Sequence, residues 1–221
     1  MWLIDRAMSG LAGQLGEPSG VVGGVVGRLL NRGNRSIVTA AVEAIDTAAP
    51  GVVVADIGFG GGVGLDLLLR RVDAAGSVHG VELSATMLAD ARRRFSDDIA
   101  TGHLVLHDAR MESLPLDDAS VDAIISTNTI YFIEDLAAAV GEIVRVLRPT
   151  GRLVLGVGDP AQMTKMPFTQ HGFRLRPIEE VIGVLRQAGF ADVEDRRLSA
   201  DSGAFHLLVC DVSADGISRR Q

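Results

Sequence analysis

Two acids and a run of glycines carry the first chemistry this chain offers. Asp56 closes the apolar run "VVVADIG", and Gly58, Gly60, Gly61, Gly62 and Gly64 crowd into the next positions. Each glycine costs folding entropy, so such density marks a backbone that must turn with positive φ or let something bulky come close. Twenty-six residues after Asp56, a second apolar run, "GSVHGVEL", reaches another acid, Glu82. A carboxylate at a strand end can accept two hydroxyl hydrogen bonds, which is how α/β folds hold a ribose. Turn and acid together point to a nucleoside-containing cofactor.

Elimination narrows the cofactor. A dinucleotide fingerprint needs a small residue at the sixth position of G-x-G-x-x-G. Counting from Gly58, Gly60 or Gly62, that position holds Val63, Leu65 or Leu67, and all three fail. A phosphate-binding loop needs Gly-Lys-Ser/Thr, and the only lysine of the chain is Lys165. What remains is the spacing Asp56, Gly58, Gly60, Gly62.

The elements that must hold these residues alternate. "NRSIVTAAVEAIDTAA" (34–49) has apolar residues at helical spacing, and "VVVADIG" is a buried strand. Helices are predicted over "GLDLLLRRV", "SATMLADARRRF", "DLAAAVGEIVRVLR" (stopped by Pro149) and "PIEEVIGVLRQAG". Between them run the strands "GSVHGVEL", "GHLVLHDA", "VDAIISTNT" and "GRLVLGVGD". "ADVEDRRLS" and "AFHLLVCDV" follow, joined by a polar turn. Strands separated by helices mean a doubly wound α/β fold, and the seven strands make a mostly parallel, Rossmann-like sheet. The last strand is antiparallel, because only a turn precedes it. Residues 1–49 are expected to form a helical lead-in or cap, and 50–221 the cofactor-binding domain.

Totals set limits on partners. The 221 residues are 47% hydrophobic, enough for a full core, with formal net charge −7 and pI about 5.2. A basic footprint is lacking, so a nucleic acid is not expected as substrate. Cys210 is the only cysteine and sits in an apolar run, which suits a reducing, cytoplasmic setting. The first residues lack a basic region ahead of their apolar ones, so no secretory signal is read there. No apolar run approaches the ~20 residues that cross a bilayer, so stable membrane insertion is not expected. No His/Cys cluster has metal-ligand spacing, and no metal is expected. A homodimer stays open as the assembly.

In "ADIGFGGG", "GVELSATML", "HDARMESLPLDDASVDAIIS" and "VLRPTGRL" the chain resembles the class I S-adenosylmethionine-dependent methyltransferases. The likeness is to the type 11, small-molecule group containing the ubiquinone/menaquinone and sterol methyltransferases. It is close over about residues 30–160. The resemblance implies S-adenosylmethionine as cofactor. Asp56 would hold its ammonium end, and Gly58, Gly60 and Gly62 would let the backbone pass beside it. Glu82 would take the ribose hydroxyls, Leu83 would pack on the adenine, and Asp108 and the Ala109 amide would face the adenine edge. Asn128 would lie near the methionine moiety. The family's glycine after "LRP" is Thr150 here, which leaves the local turn in doubt.

The acceptor side is less legible. His171 falls in the loop after the fifth strand, where folds of this kind place the mouth of the site, and it could take a proton from a hydroxyl. Phe168, Gln170 and Phe173 beside it, with Tyr131, are candidates to line the acceptor pocket. His79 reads as structural, His103 and His206 as packing or surface residues, and His107 as near the adenine site. The expected activity is methyl transfer from S-adenosylmethionine to a small-molecule hydroxyl on a sugar, lipid or secondary metabolite. A nucleotide-dependent reductase and a catalytically silent binding protein are the alternatives.

Overall fold

The computed structural model describes residues 34–200 and 203–212. Residues 1–33 of the lead-in expected over 1–49 lie outside them. Seven strands form one sheet: β1 Val53–Ile57, β2 Ser77–Glu82, β3 Leu104–Asp108, β4 Val121–Thr127, β5 Leu147–Gly158, β6 Phe190–Ala200 and β7 Gly203–Val212. Their order is β3-β2-β1-β4-β5-β7-β6. The first five are parallel, and β7 inserts between β5 and β6, antiparallel to both. The order reverses between β1 and β4, the switch point at which a ligand finds a crevice beyond the strand ends.

Helices cover both faces: α1 (34–43), α2 Val63–Leu69, α3 Ala85–Arg94, α4 Ser96–Ala100, α5 Leu136–Val146, α6 Pro160–Met163 and α7 Ile178–Ala188. Strand alternation splits the core in two. Leu208 and Cys210 of β7 pack with α5 and α7, while Leu207 and Val209 pack with α1, α2 and α3. Helix α1 is thus built into the second core through Ile37, Ala41 and Val42. Caps match the sequence. Ser84 Oγ accepts from Met87 N, Asp135 caps α5 by accepting from Ala138 N, and α7 stops at Gly189 with φ +115°.

Three details depart from the sequence reading. Helix α3 is followed by the short α4 after a break at Phe95. Strand β5 starts at Leu147, ahead of Pro149, and the β4–β5 register shifts between Val121 and Ala123 to absorb Pro149 and Thr150. The loop expected after β5 contains α6 and a 3₁₀ turn, Pro167–Gln170. No helix joins β3 to β4. Instead, Arg145 of α5 pins that connection by donating to the carbonyls of Leu114 and Leu116 at 2.9 Å and to Asp118 at 2.7 Å. No helix among the described residues is long and apolar enough to cross a membrane.

Candidate functional site

The ends of β1, β2 and β4, with the segments that follow them, surround a cavity of about 330 Å³. Asp56 stands at its floor, 4% exposed. No described residue donates a hydrogen bond to its carboxylate. Burial, then the charge of Glu82, pushes its carboxyl up to about 8. Gly64 makes room for it, since a Cβ there would lie 2.1 Å from Asp56 Oδ2.

The three glycines of the motif have positive φ for three different ends. A Cβ on Gly58 would strike Thr129 Oγ1 at 2.5 Å, so Gly58 packs β1 against the β4 end. Gly62 begins α2 and lies under the Phe95 ring, outside the cavity lining. Gly60 lines the cavity, and a Cβ there would meet nothing within 4 Å. It would fill empty cradle.

Glu82 is held by the backbone. Its Oε2 accepts from Gly60 N at 2.9 Å, and its Oε1 from Leu83 N and Ser84 N at 2.8 and 2.9 Å. Three amides thus fix the carboxylate, and Oε2 keeps a lone pair for a ligand hydroxyl. Leu83 and Ala109 line the cavity beside it. Asp108, opposite Glu82 in the β2–β3 register, is exposed and outside the lining. His107 is also outside it and bonds to His79, Nε2 to Nδ1 at 3.0 Å; burial, then the charge of His107, pushes His79 down to about 4. Arg110, Met111 and Glu112 do line the cavity, which the sequence reading missed. Asn34 and Val38 of α1 were missed too.

On the other side Asn128 leaves β4 with φ +57°, a conformation that asparagine tolerates better than most residues. Its N–H donates to Gly156 O at 2.7 Å. The Tyr131 hydroxyl donates to Asn128 Oδ1 at 3.1 Å and accepts from Gly158 N at 2.5 Å. Tyr131 is buried, and desolvation pushes its pKa above the ordinary phenol value, so it stays protonated. Arg176 holds the turn that carries Tyr131 and Phe132 by donating to the carbonyls of Ile130, Ile133 and Glu134.

An apolar wall closes this end: Phe132, Met163, Met166, Phe168, Phe173 and Phe205. Phe173 is the hub, with its ring centroid 4.8 Å from that of Phe132 and 5.7 Å from those of Tyr131 and Phe168. Of the residues expected for the acceptor pocket, Tyr131, Phe168 and Phe173 converge here. Gln170 and His171 sit on the same loop but outside the lining.

The donor set can be read chemically. Two buried carboxylates and an open glycine make one end that suits a cation and a diol, and the other end suits an apolar body. That set fits the ammonium and ribose of S-adenosylmethionine.

Known proteins agree with this geometry. Residues 55–155 match the family described as "Methyltransferase domain". A probable S-adenosylmethionine-dependent methyltransferase of Mycolicibacterium smegmatis is 35% identical over 69% of this chain and 55% of its own. An arsenite methyltransferase of Halobacterium salinarum is 27% identical over 69% of this chain and 40% of its own. The chain thus spans about half the length of these curated relatives. Among solved structures, the complex of the Haloferax volcanii Trm112 methyltransferase activator with a partner methyltransferase aligns with TM-score 0.73 at 20% identity, over 85% of this chain and 93% of that one. An S-adenosylmethionine-dependent methyltransferase from Aquifex aeolicus aligns with TM-score 0.65 at 19% identity, over 83% and 93%. The likeness in sequence and fold runs through the strand ends that build the cavity, and residues 55–155 form a methyltransferase domain of the class I, S-adenosylmethionine-dependent kind.

Proposed function

We propose that this cavity binds S-adenosylmethionine and that the chain moves its methyl group to a small-molecule acceptor. The observation that carries the reading is the pair of buried carboxylates flanking the open cradle at Gly60. Bound there, the cofactor supplies a methyl group on a sulfonium, which is already an activated leaving group. Asp56 holds the ammonium, Glu82 a ribose hydroxyl, and Leu83 and Ala109 the adenine, with Asp108 at the exposed rim beyond the adenine edge. Gly58 and Gly62 shape the loop, and Asn128 stands between cofactor and acceptor.

The protein's own contribution is alignment and a dry wall. The aromatic end favours the hydroxyl of a lipid or aromatic secondary metabolite over that of a bare sugar. The only thiol, Cys210, is buried in β7 and lines no part of the cavity, which gives no support to arsenic as acceptor. In this reading His171, at the end of the turn that carries Phe168, serves as base for a hydroxyl acceptor. His171→Ala should then cut methyl transfer while leaving cofactor affinity intact.

The deciding experiment is a calorimetric titration with S-adenosylhomocysteine and, separately, with NADPH. Micromolar binding of the first and none of the second supports the reading. The reverse selects a reductase.

A further inference from the structure

A cluster of ionisable groups with a buried histidine at its centre lies just behind the acceptor wall, and the methyl-transfer reading makes no use of it. His206 on β7 is 4% exposed. Its Nδ1 is 3.0 and 2.9 Å from the two carboxylate oxygens of Asp195 on β6, and its Nε2 is 3.3 Å from Asp159 Oδ2. A carboxylate only accepts, so an imidazole nitrogen that serves one does so as an N–H donor. The sequence reading took this histidine for a packing or surface residue. It is instead a cross-link between three chain segments.

Asp159 gives the cross-link its reach. The residue directly follows β5, its N–H donates to Ala204 O at 2.9 Å, and its Oδ1 caps α6 by accepting from Gln162 N at 2.9 Å. Gln162 and Met163 of α6, then Met166 and Phe168, are cavity lining. Thr169 closes this segment on itself by sharing its hydroxyl between the carbonyls of Met163 and Met166. The segment is therefore compact within itself and reaches the sheet at two places: through Asp159, and through Met163, which lies over Gly158 at the end of β5.

We propose that His206 is a positioning residue that, through Asp159, latches the wall at 160–170 to the β5–β7–β6 end of the sheet and so sets the width of the acceptor seat. The latch stands on the geometry of His206, Asp159 and Asp195; calling the wall an acceptor seat rests on the proposed methyl-transfer reading.

The chain offers a single-site probe. Lys165 is its only lysine, is exposed, and lies between α6 and the 3₁₀ turn. A lysine-specific endoproteinase therefore cuts at one place, and cutting requires the surrounding segment to open. The full chain and the variants His206→Ala, Asp159→Asn and Asp195→Asn are digested well below their thermal midpoints. S-adenosylhomocysteine affinity is measured on each.

His206→Ala and Asp159→Asn should be cut about tenfold faster, with affinity within about twofold of the parent. In Asp159→Asn one carboxamide oxygen cannot serve both the cap and Nε2–H, and the carboxamide N–H can meet only an unprotonated Nε2, a neutral bond in place of a charge-assisted one. Asp195→Asn keeps an oxygen for Nδ1–H and should stay near the parental rate, which is the rescue that loss of packing alone would not give. Parental cutting rates in both of the first two variants overturn the latch, and so does an Asp195→Asn chain that opens as far as His206→Ala. If His206→Ala does not fold, Asp159→Asn, at a partly exposed position, decides alone. Failure of the parent to bind S-adenosylhomocysteine would overturn the methyl-transfer reading, while the cutting rates still decide the latch.

Discussion

The two halves of the cavity are built by different means. On the β1–β2 side the contacts are largely backbone: Gly60, Leu83 and Ser84 amides grip Glu82, and Gly60 offers bare main chain to the ligand. On the β4–β7 side the lining is side chain, with Tyr131, Phe132, Phe168 and Phe173 leaning on one another. A backbone cradle demands particular residue types at fixed spacing. An aromatic wall demands only bulk and apolarity, which many residue choices satisfy. The first half is therefore suited to one constant ligand, and the second can change its occupant without disturbing the first.

The largest expected effect comes from breaking the backbone half. Gly60→Val puts a branched side chain at φ +51° and into the open cradle, so S-adenosylhomocysteine binding should fall below detection by calorimetry in a chain that still folds. A variant that bound normally would remove the account of this glycine. Next comes Glu82→Ala, which deletes the charged acceptor of a ribose hydroxyl bond at about 1.5–3 kcal/mol, for a loss of about 10–10²-fold in affinity. It also strands three amides, so a lowered thermal midpoint should accompany the loss. An unchanged affinity would sink the ribose assignment.

The side-chain half should respond differently. Tyr131→Phe leaves Gly158 N without its acceptor and frees the Asn128 carboxamide. Stability should drop by about 1–3 kcal/mol in denaturant titrations, while cofactor affinity changes by less than about threefold. A large fall in cofactor affinity would show that the two halves are not independent.

This contrast also explains what could be read in advance. The sheet was legible because "VVVADIG", "GSVHGVEL" and "VDAIISTNT" are apolar runs punctuated by turn residues. Asp56, Gly60 and Glu82 were legible because their roles tie residue type to spacing. Gly62 shares that spacing yet serves α2 and Phe95, a distinction that only the φ angles and neighbours reveal. The wall was half legible. Phe168 and Phe173 announce themselves as aromatic, but which side of the loop faces inward depends on a 3₁₀ turn that turns His171 and Gln170 elsewhere. His206 was illegible, because its two carboxylate partners lie 11 and 47 residues away in sequence.

Asp56 offers a separate test through stability. Its carboxyl is raised to about 8 in the folded chain, against an ordinary value near 3.8. Below the ordinary value the group is neutral in both states and has no effect. As pH rises from there to about 8 the unfolded chain ionises first, so the folded state loses stability. Asp56→Asn should remove this loss and stabilise the ligand-free chain at pH 7 by up to about 4 kcal/mol. Equal stability of parent and variant across pH 4–8 would contradict the burial of an unpaired carboxyl.

The same carboxyl gives the most direct test of the central claim, that a cationic nucleoside cofactor sits between Asp56 and Glu82. To pair with an ammonium, Asp56 must give up its proton. S-adenosylhomocysteine affinity is therefore measured by calorimetry from pH 6 to 8 in buffers of different ionisation enthalpy, for the parent and Asp56→Asn. The account predicts release of close to one proton near pH 6.5 and an affinity that climbs about tenfold per pH unit below 8, both absent in the variant. A parent that binds with no proton release and a flat pH profile would contradict it.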